Sequence, residues 1–190
     1  MNKELKPTLW RTARALANVE RLKLMRLVAN ANGVKGVVEL ADEVGLSVAA
    51  TSIYLRQLNA RGLISVVRSG PYVYYGTGSD RSLPVAIEIQ KAFQRLFSRK
   101  KLPHDWTERL MPVLCAYSHF RRETIVRVLL QHDHINYAEL LRRSGFCEPT
   151  FLRHLNILLK ADVVSKDKNG NYFITKPKNS LESVLLFSVI

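Results

Sequence analysis

Apolar side chains recur at helical spacing at Leu9, Trp10, Ala13, Leu16 and Ala17, and again at Leu22, Met25, Leu27 and Val28, so two helices are predicted over residues 8–30. Asn32-Gly33 and Gly36 read as a loop. Val38 to Val44 reads as a short third helix ended by Gly45, a residue suited to the left-handed cap. Ser47 carries the side chain that caps a following helix, along which Thr51, Leu55 and Leu58 share a face before Gly62 closes it. Leu63 to Val67 and Tyr72 to Tyr75 are β-branched and aromatic around Arg68-Ser69-Gly70-Pro71, which predicts a hairpin. Val85, Ala86, Ile89, Ala92, Phe93, Leu96 and Phe97 then mark an amphipathic linking helix over 83–98, running into the basic triplet Arg99, Lys100 and Lys101.

The same series follows a second time. Helices are predicted near Trp106 to Tyr117, at Arg122 to Gln131, at Glu139 to Arg143 before a turn at Gly145, and at Glu148 to Lys160. Lys168-Asn169-Gly170-Asn171 holds an Asn-Gly pair, the signal for a tight hairpin, and Ser180 to Ile190 resembles the start of the linking helix. The two runs superpose at a constant offset of 100 from Glu39/Glu139 through Ile64/Val164. Such internal repetition fixes architecture before any motif is read. The expected fold class is mainly α with small β-hairpin wings: two tandem winged helix-turn-helix domains, residues 1–101 and 102–190, with Pro103 and Pro112 punctuating the join.

With 47% apolar and 24% charged residues the chain has the composition of a folded domain, which excludes a disordered class. The net charge of +13 points to a polyanionic partner. It is lopsided: residues 1–101 hold 17 basic and 7 acidic side chains, residues 102–190 hold 12 and 9, so the first half is expected to dominate attraction to phosphate. Two cysteines, Cys115 and Cys147, suit a reducing cytoplasm and give no disulfide framework. No apolar run has signal-peptide or membrane-spanning length, so a cytoplasmic protein without membrane attachment is expected.

LANVERLKLMRLV at 16–28, VVELADEVGLSVAATSIYLRQLNARGLI at 37–64 and GPYVYY at 70–75 resemble the ArsR type of bacterial winged-helix regulators, over most of residues 9–98. ELLRRSGFCEPTFLRHLNILLKADVV carries the same resemblance in the second copy, with Arg153-His154-Leu155 where that family commonly has such a triplet, although Leu152 departs from the family's small polar residue. The resemblance implies a sequence-specific regulator of double-stranded DNA, with recognition helices 47–60 and 148–160 in the major groove and wings 65–75 and 165–174 on the backbone. The candidate DNA-binding set is Ser47, Val48, Ala49, Ser52, Ile53, Arg56 and Arg68, then Glu148, Thr150, Arg153, His154, Asn156, Lys166 and Lys168. Within it Arg153 is the best placed for bidentate recognition of guanine, and Val48, Ala49 and Ile53 suit thymine methyl groups.

The family's metal sites do not carry over. VVELADEV has no cysteine, and LPVAIEIQKAFQRLF has neither Asp nor His. Cys115 with His119, and His132-Asp133-His134, are the remaining ligand candidates, and neither supplies a full set, so no metal and no cofactor is expected. No catalytic motif is present, so no enzyme is expected. A homodimer and a single-chain pseudo-dimer both remain open. So do a winged-helix protein-protein scaffold and an RNA-binding module, the latter using Tyr72 and Tyr74 for base stacking.

Overall fold

The computed structural model describes residues 8–78, 84–97 and 103–189. Its elements run α1 (Leu9–Leu16), α2 (Val19–Ala29), β1 (Val34–Gly36), α3 (Val37–Val44), α4 (Val48–Asn59), β2 (Ser65–Ser69), β3 (Tyr72–Gly76) and α5 (Pro84–Phe97). A second series follows as α6 (Trp106–Tyr117), α7 (Phe120–Leu130), α8 (Tyr137–Ser144), α9 (Glu148–Lys160), β4 (Val164–Lys166), β5 (Tyr172–Ile174) and α10 (Ser180–Phe187). The expected 101/102 boundary, the ends of the linking helix at 83 and 98, and the basic triplet at 99–101 lie outside the described residues.

The helix starts follow from local chemistry. Asn18 accepts a hydrogen bond from the Arg21 backbone N–H at 2.9 Å to open α2, and the His119 ring accepts from Arg121 N–H at 3.1 Å to open α7. Behind these caps, Arg21 and Arg122 occupy matching places. Arg122 donates to the Ala116 and Cys115 carbonyls at 2.8 and 2.7 Å, tying down the C-terminal end of α6. Arg21 does the same to the Ala15 and Arg14 carbonyls at the end of α1. A guanidinium there satisfies carbonyls that a helix end leaves orphaned and opposes the negative pole of its dipole.

Two expectations are corrected. Residues 34–36 are not loop but strand β1, which pairs antiparallel with β3 (Lys35 opposite Tyr75) and makes a three-stranded sheet in the order β1-β3-β2. In the second series the corresponding place holds a single bridge, Ile135 with Tyr172. Pro112 does not punctuate the join; it lies inside α6. It removes one helical hydrogen bond, but Leu110, Val113 and Leu114 around it are buried, and that burial outweighs the loss.

The two series share one apolar core. Elements of like position meet: α1 packs on α6, and α5 on α10. Trp10 faces Phe120 at 6.4 Å, Trp106 meets Phe97 edge-on at 5.3 Å, and the Arg26 guanidinium sits 5.2 Å over the Trp106 ring. These contacts leave α3, α4, α8, α9 and the hairpins on the periphery.

Candidate nucleic-acid interface

The first helix-turn-helix is built from a glycine and a serine. Gly45, at φ +76°, closes α3 while its own N–H and that of Leu46 return to the Ala41 carbonyl at 2.9 and 3.0 Å. Ser47 Oγ then accepts from Ala50 N–H at 3.2 Å and starts α4. Thr51, Leu55 and Leu58 are fully buried, as their spacing predicts, which turns the opposite face outward. Val48 and Ile53 are each 47% exposed, Ala49 and Arg56 are exposed and Ser52 is half-buried. In the first wing the turn is shorter than expected. Arg68 and Ser69 belong to β2, opposite Val73 and Tyr72, and only Gly70 and Pro71 form the loop, so Arg68 stands one residue below the tip.

In the second series Gly145, at φ +71°, makes the equivalent turn into α9. Cys147 takes the N-cap position with its Sγ 3.2 Å from Thr150 Oγ1; hydrogen bonds from the Thr150 side chain and backbone to the thiolate hold the thiol below its ordinary range. Glu148, Arg153 and Asn156 are exposed, as is Leu152, and Thr150 is half-buried. Glu148 accepts from the Tyr137 hydroxyl at 2.9 Å. The hairpin is not the tight Asn-Gly turn expected. Asp167 organises a five-residue loop instead: its N–H donates to the Asn171 carbonyl at 2.8 Å, and its carboxylate accepts from the N–H groups of Asn169 and Asn171 at 2.9 Å. Lys166 and Lys168 remain exposed on this wing.

His154 stands apart from the other candidates, because it is only 5% exposed and does not reach the outer face. Its ring lies 4.5 Å from that of His119, and its Nδ1 is 3.4 Å from Arg122 Nη1. Its Nε2 is buried with no hydrogen-bond partner. Burial first, then the nearby His119, Arg122, Arg153 and Arg121, push its pKa down to about 4. The neutral ring is therefore a packing residue, at the place where Tyr54 lies beside Arg21 (5.6 Å from guanidinium to ring) in the first series.

Several cations lie outside α4 and α9. Arg121 lies 5.9 Å from the ring of Phe146, in the turn that leads into α9. Arg142 and Arg143 project from α8 and share Glu139, at 2.6 and 2.5 Å, which holds that carboxylate at about 2. The adjacent pairs Arg121-Arg122 and Arg142-Arg143 are plain in the sequence, but attention to the second helix of each motif passes over them. A separate recess of about 450 Å³ is lined by Trp10, Arg11, Arg14, Arg21 and Arg61.

Cys115 and His119 do not share a helical face, because α6 ends at Tyr117 and His119 caps α7. His134 is bound to Asp167 at 2.9 Å. Among the described residues no group of three or more His, Cys, Asp or Glu side chains is placed to hold a metal ion, and no helix is long and apolar enough to cross a membrane. No curated protein matches the chain. The family model described as bacterial regulatory protein, arsR family, matches residues 18–66, the stretch from the Asn18 cap of α2 through α3, the Gly45 turn and α4 into β2. That segment is an ArsR-family helix-turn-helix domain, the kind found in DNA-binding transcriptional regulators.

Proposed function

We propose that the protein is a sequence-specific regulator that binds duplex DNA through two winged helix-turn-helix units in one chain, residues 1–101 and 102–190. The observation that carries this reading is the division of α4 and α9 into two faces. The inner faces are sealed by Thr51, Leu55 and Leu58 and by Phe151, Leu155 and Leu158, while Val48, Ala49, Ile53, Arg56, Arg153 and Asn156 face solvent. Helices of 12 and 13 residues span about 18–20 Å, long enough to lie in a major groove about 12 Å wide. Ser52 and Arg153 would hydrogen-bond base edges, Val48, Ala49 and Ile53 would meet thymine methyl groups, and Arg68, Lys166 and Lys168 would hold the backbone from the wings.

The matching Arg21 and Arg122 clamps and the like-with-like packing of α1 on α6 and α5 on α10 support a tandem duplication whose halves pair as two subunits would. In that arrangement the two recognition helices meet one face of the duplex about 34 Å apart. Selection of bound duplexes from a random pool is the test. A site of two unlike half-sites about ten base pairs apart is expected, because α4 and α9 differ at the exposed positions. Recovery of no duplex, or preferential capture of single-stranded RNA, would refute the reading.

A further inference from the structure

The ranking of the two halves by overall charge is the reverse of their ranking by charge on the faces that would meet DNA. Matching positions make the comparison direct: Glu20 stands where the second series has Arg121, Asp42 where it has Arg142, Glu43 where it has Arg143 and Ile53 where it has Arg153. Position 39/139 is glutamate in both, yet its neighbours differ. On α3, Glu39 and Glu43 share the single ammonium of Lys35 (3.0 Å to Glu39), leaving carboxylate in excess, with Asp42 exposed beside them. On α8, Glu139 is shared by two guanidinium groups, leaving positive charge in excess. Arg121 extends that charge to the turn before α9, and Lys166 and Lys168 extend it along the wing. The excess cations of the first half lie elsewhere, with Arg11, Arg14, Arg21 and Arg61 lining the recess between α1, α2 and the C-terminal end of α4.

Within the proposed DNA-binding reading, on which this rests, we infer that the second helix-turn-helix supplies the grip on the phosphate backbone, through Arg121, Arg142 and Arg143. The first, whose α3 is acidic, adds little electrostatic affinity. The first helix of such a motif crosses the backbone of the duplex, so carboxylates on α3 face phosphate where α8 offers guanidinium. Each neutralised phosphate releases counterions and contributes about −0.9 to the slope of log affinity against log salt. The expectation from total charge, that residues 1–101 dominate attraction to phosphate, is thereby inverted.

The test uses the full chain and the duplex recovered by selection, with affinity measured by fluorescence anisotropy between roughly 50 and 200 mM salt. Arg142→Ser with Arg143→Ser should make the slope shallower by about 1 to 2. Arg56→Ser with Arg68→Ser, which removes the single wing contact of Arg68 to the backbone, should make it shallower by no more than about 0.9. Asp42→Arg with Glu43→Arg should steepen it by about 1 to 2 and tighten binding, a gain that a folding defect cannot imitate. An equal or larger loss in the Arg56/Arg68 variant, or no gain in the Asp42/Glu43 variant, overturns the inference while leaving DNA binding intact. A wild-type chain with a flat salt profile, or one that binds no duplex, overturns both.

Discussion

Mild acid should destabilise this protein through His154. The ring is 5% exposed, its Nε2 has no hydrogen-bond partner, and it is surrounded by His119 at 4.5 Å and by Arg122, Arg153 and Arg121; no carboxylate is among the groups shifting it. Its folded pKa is about 4 against an ordinary 6.5. Below 6.5 the unfolded chain takes up a proton that the folded chain refuses, so the unfolded state binds more protons and stability falls with falling pH. The loss begins near 6.5 and is complete near 4. At about pH 5 it amounts to about 2 kcal/mol relative to pH 7, a large share of the ~5–15 kcal/mol that holds a typical domain. His119, whose pKa is also lowered by burial and by Arg122, Arg121, Arg14 and Arg153, adds in the same direction. The Glu139, Asp105 and Asp167 carboxylates, all held low, stay ionised over this interval. The assay is urea unfolding at about pH 5 and pH 7, at constant ionic strength, on the wild type and on His154→Tyr, which places at 154 the residue that position 54 already holds beside its own arginine. The variant should lose about 2 kcal/mol less than the wild type on acidification. Equal losses in the two proteins, or a wild type equally stable at both values, would refute the reasoning.

Four further outcomes are expected. Arg122→Met removes three charge-assisted hydrogen bonds to Ala116, Cys115 and Ser118 from a buried site and should cost about 3 kcal/mol in denaturant unfolding, whereas Arg21→Met, at a half-buried site, should cost less. Gly62→Ala, at φ +66°, should cost about 1 kcal/mol, while Asp162→Gly relieves the same left-handed conformation at φ +55° and should raise stability by about 0.5 kcal/mol after loss of the exposed Lys178 pair; thermal melts check both. Thr51→Val replaces a fully buried hydroxyl that lacks a partner and should stabilise by about 1 kcal/mol, measured as a raised denaturation midpoint. Because α1 and α5 already pack on α6 and α10, sedimentation at micromolar concentration should give a single-chain mass, and the DNA-binding isotherm should be hyperbolic; a dimer with a sigmoidal isotherm would contradict the single-chain pairing.

Where hydrophobic spacing and capping chemistry agree, the sequence reads directly. Gly45, Ser47 and the Thr51-Leu55-Leu58 stripe place α3, the turn and α4, and Gly145 does the same for α8 and α9. β1 is illegible because three residues after an Asn-Gly pair carry no periodicity; only the partner strand β3 makes them a strand. The second hairpin loop is set by the carboxylate of Asp167 reaching two and four residues along the chain, a contact that outweighs the nearby Asn-Gly signal. The burial of His154 is legible. It lies three residues after Phe151 and four before Leu158, on the buried stripe itself, although the resemblance of its triplet to the family's suggests the outer face. The Arg142 and Arg143 surface is illegible for a different reason: charge summed over each half does not say which face holds it, and binding depends on the face.

A regulator built from two identical chains must change both recognition surfaces with every substitution, since each residue occurs twice. Joining the halves removes that constraint at the surface but not in the core, where α1 and α6, and α5 and α10, still need complementary packing. The chain has the pattern this predicts. Three buried pairs are kept alike, Leu40 with Leu140, Leu55 with Leu155 and Leu58 with Leu158, all essentially inaccessible to solvent, while Thr51 is exchanged for Phe151. Exposed partners are reversed or exchanged, Asp42 against Arg142, Glu43 against Arg143 and Val48 against Glu148. Under the proposed reading, one half would be free to supply the phosphate grip while the other contributed apolar contacts at Val48, Ala49 and Ile53, a division of labour that a symmetric dimer cannot reach. Exchanging the exposed residues of α4 for those of α9 should therefore move the preferred sequence toward two like half-sites.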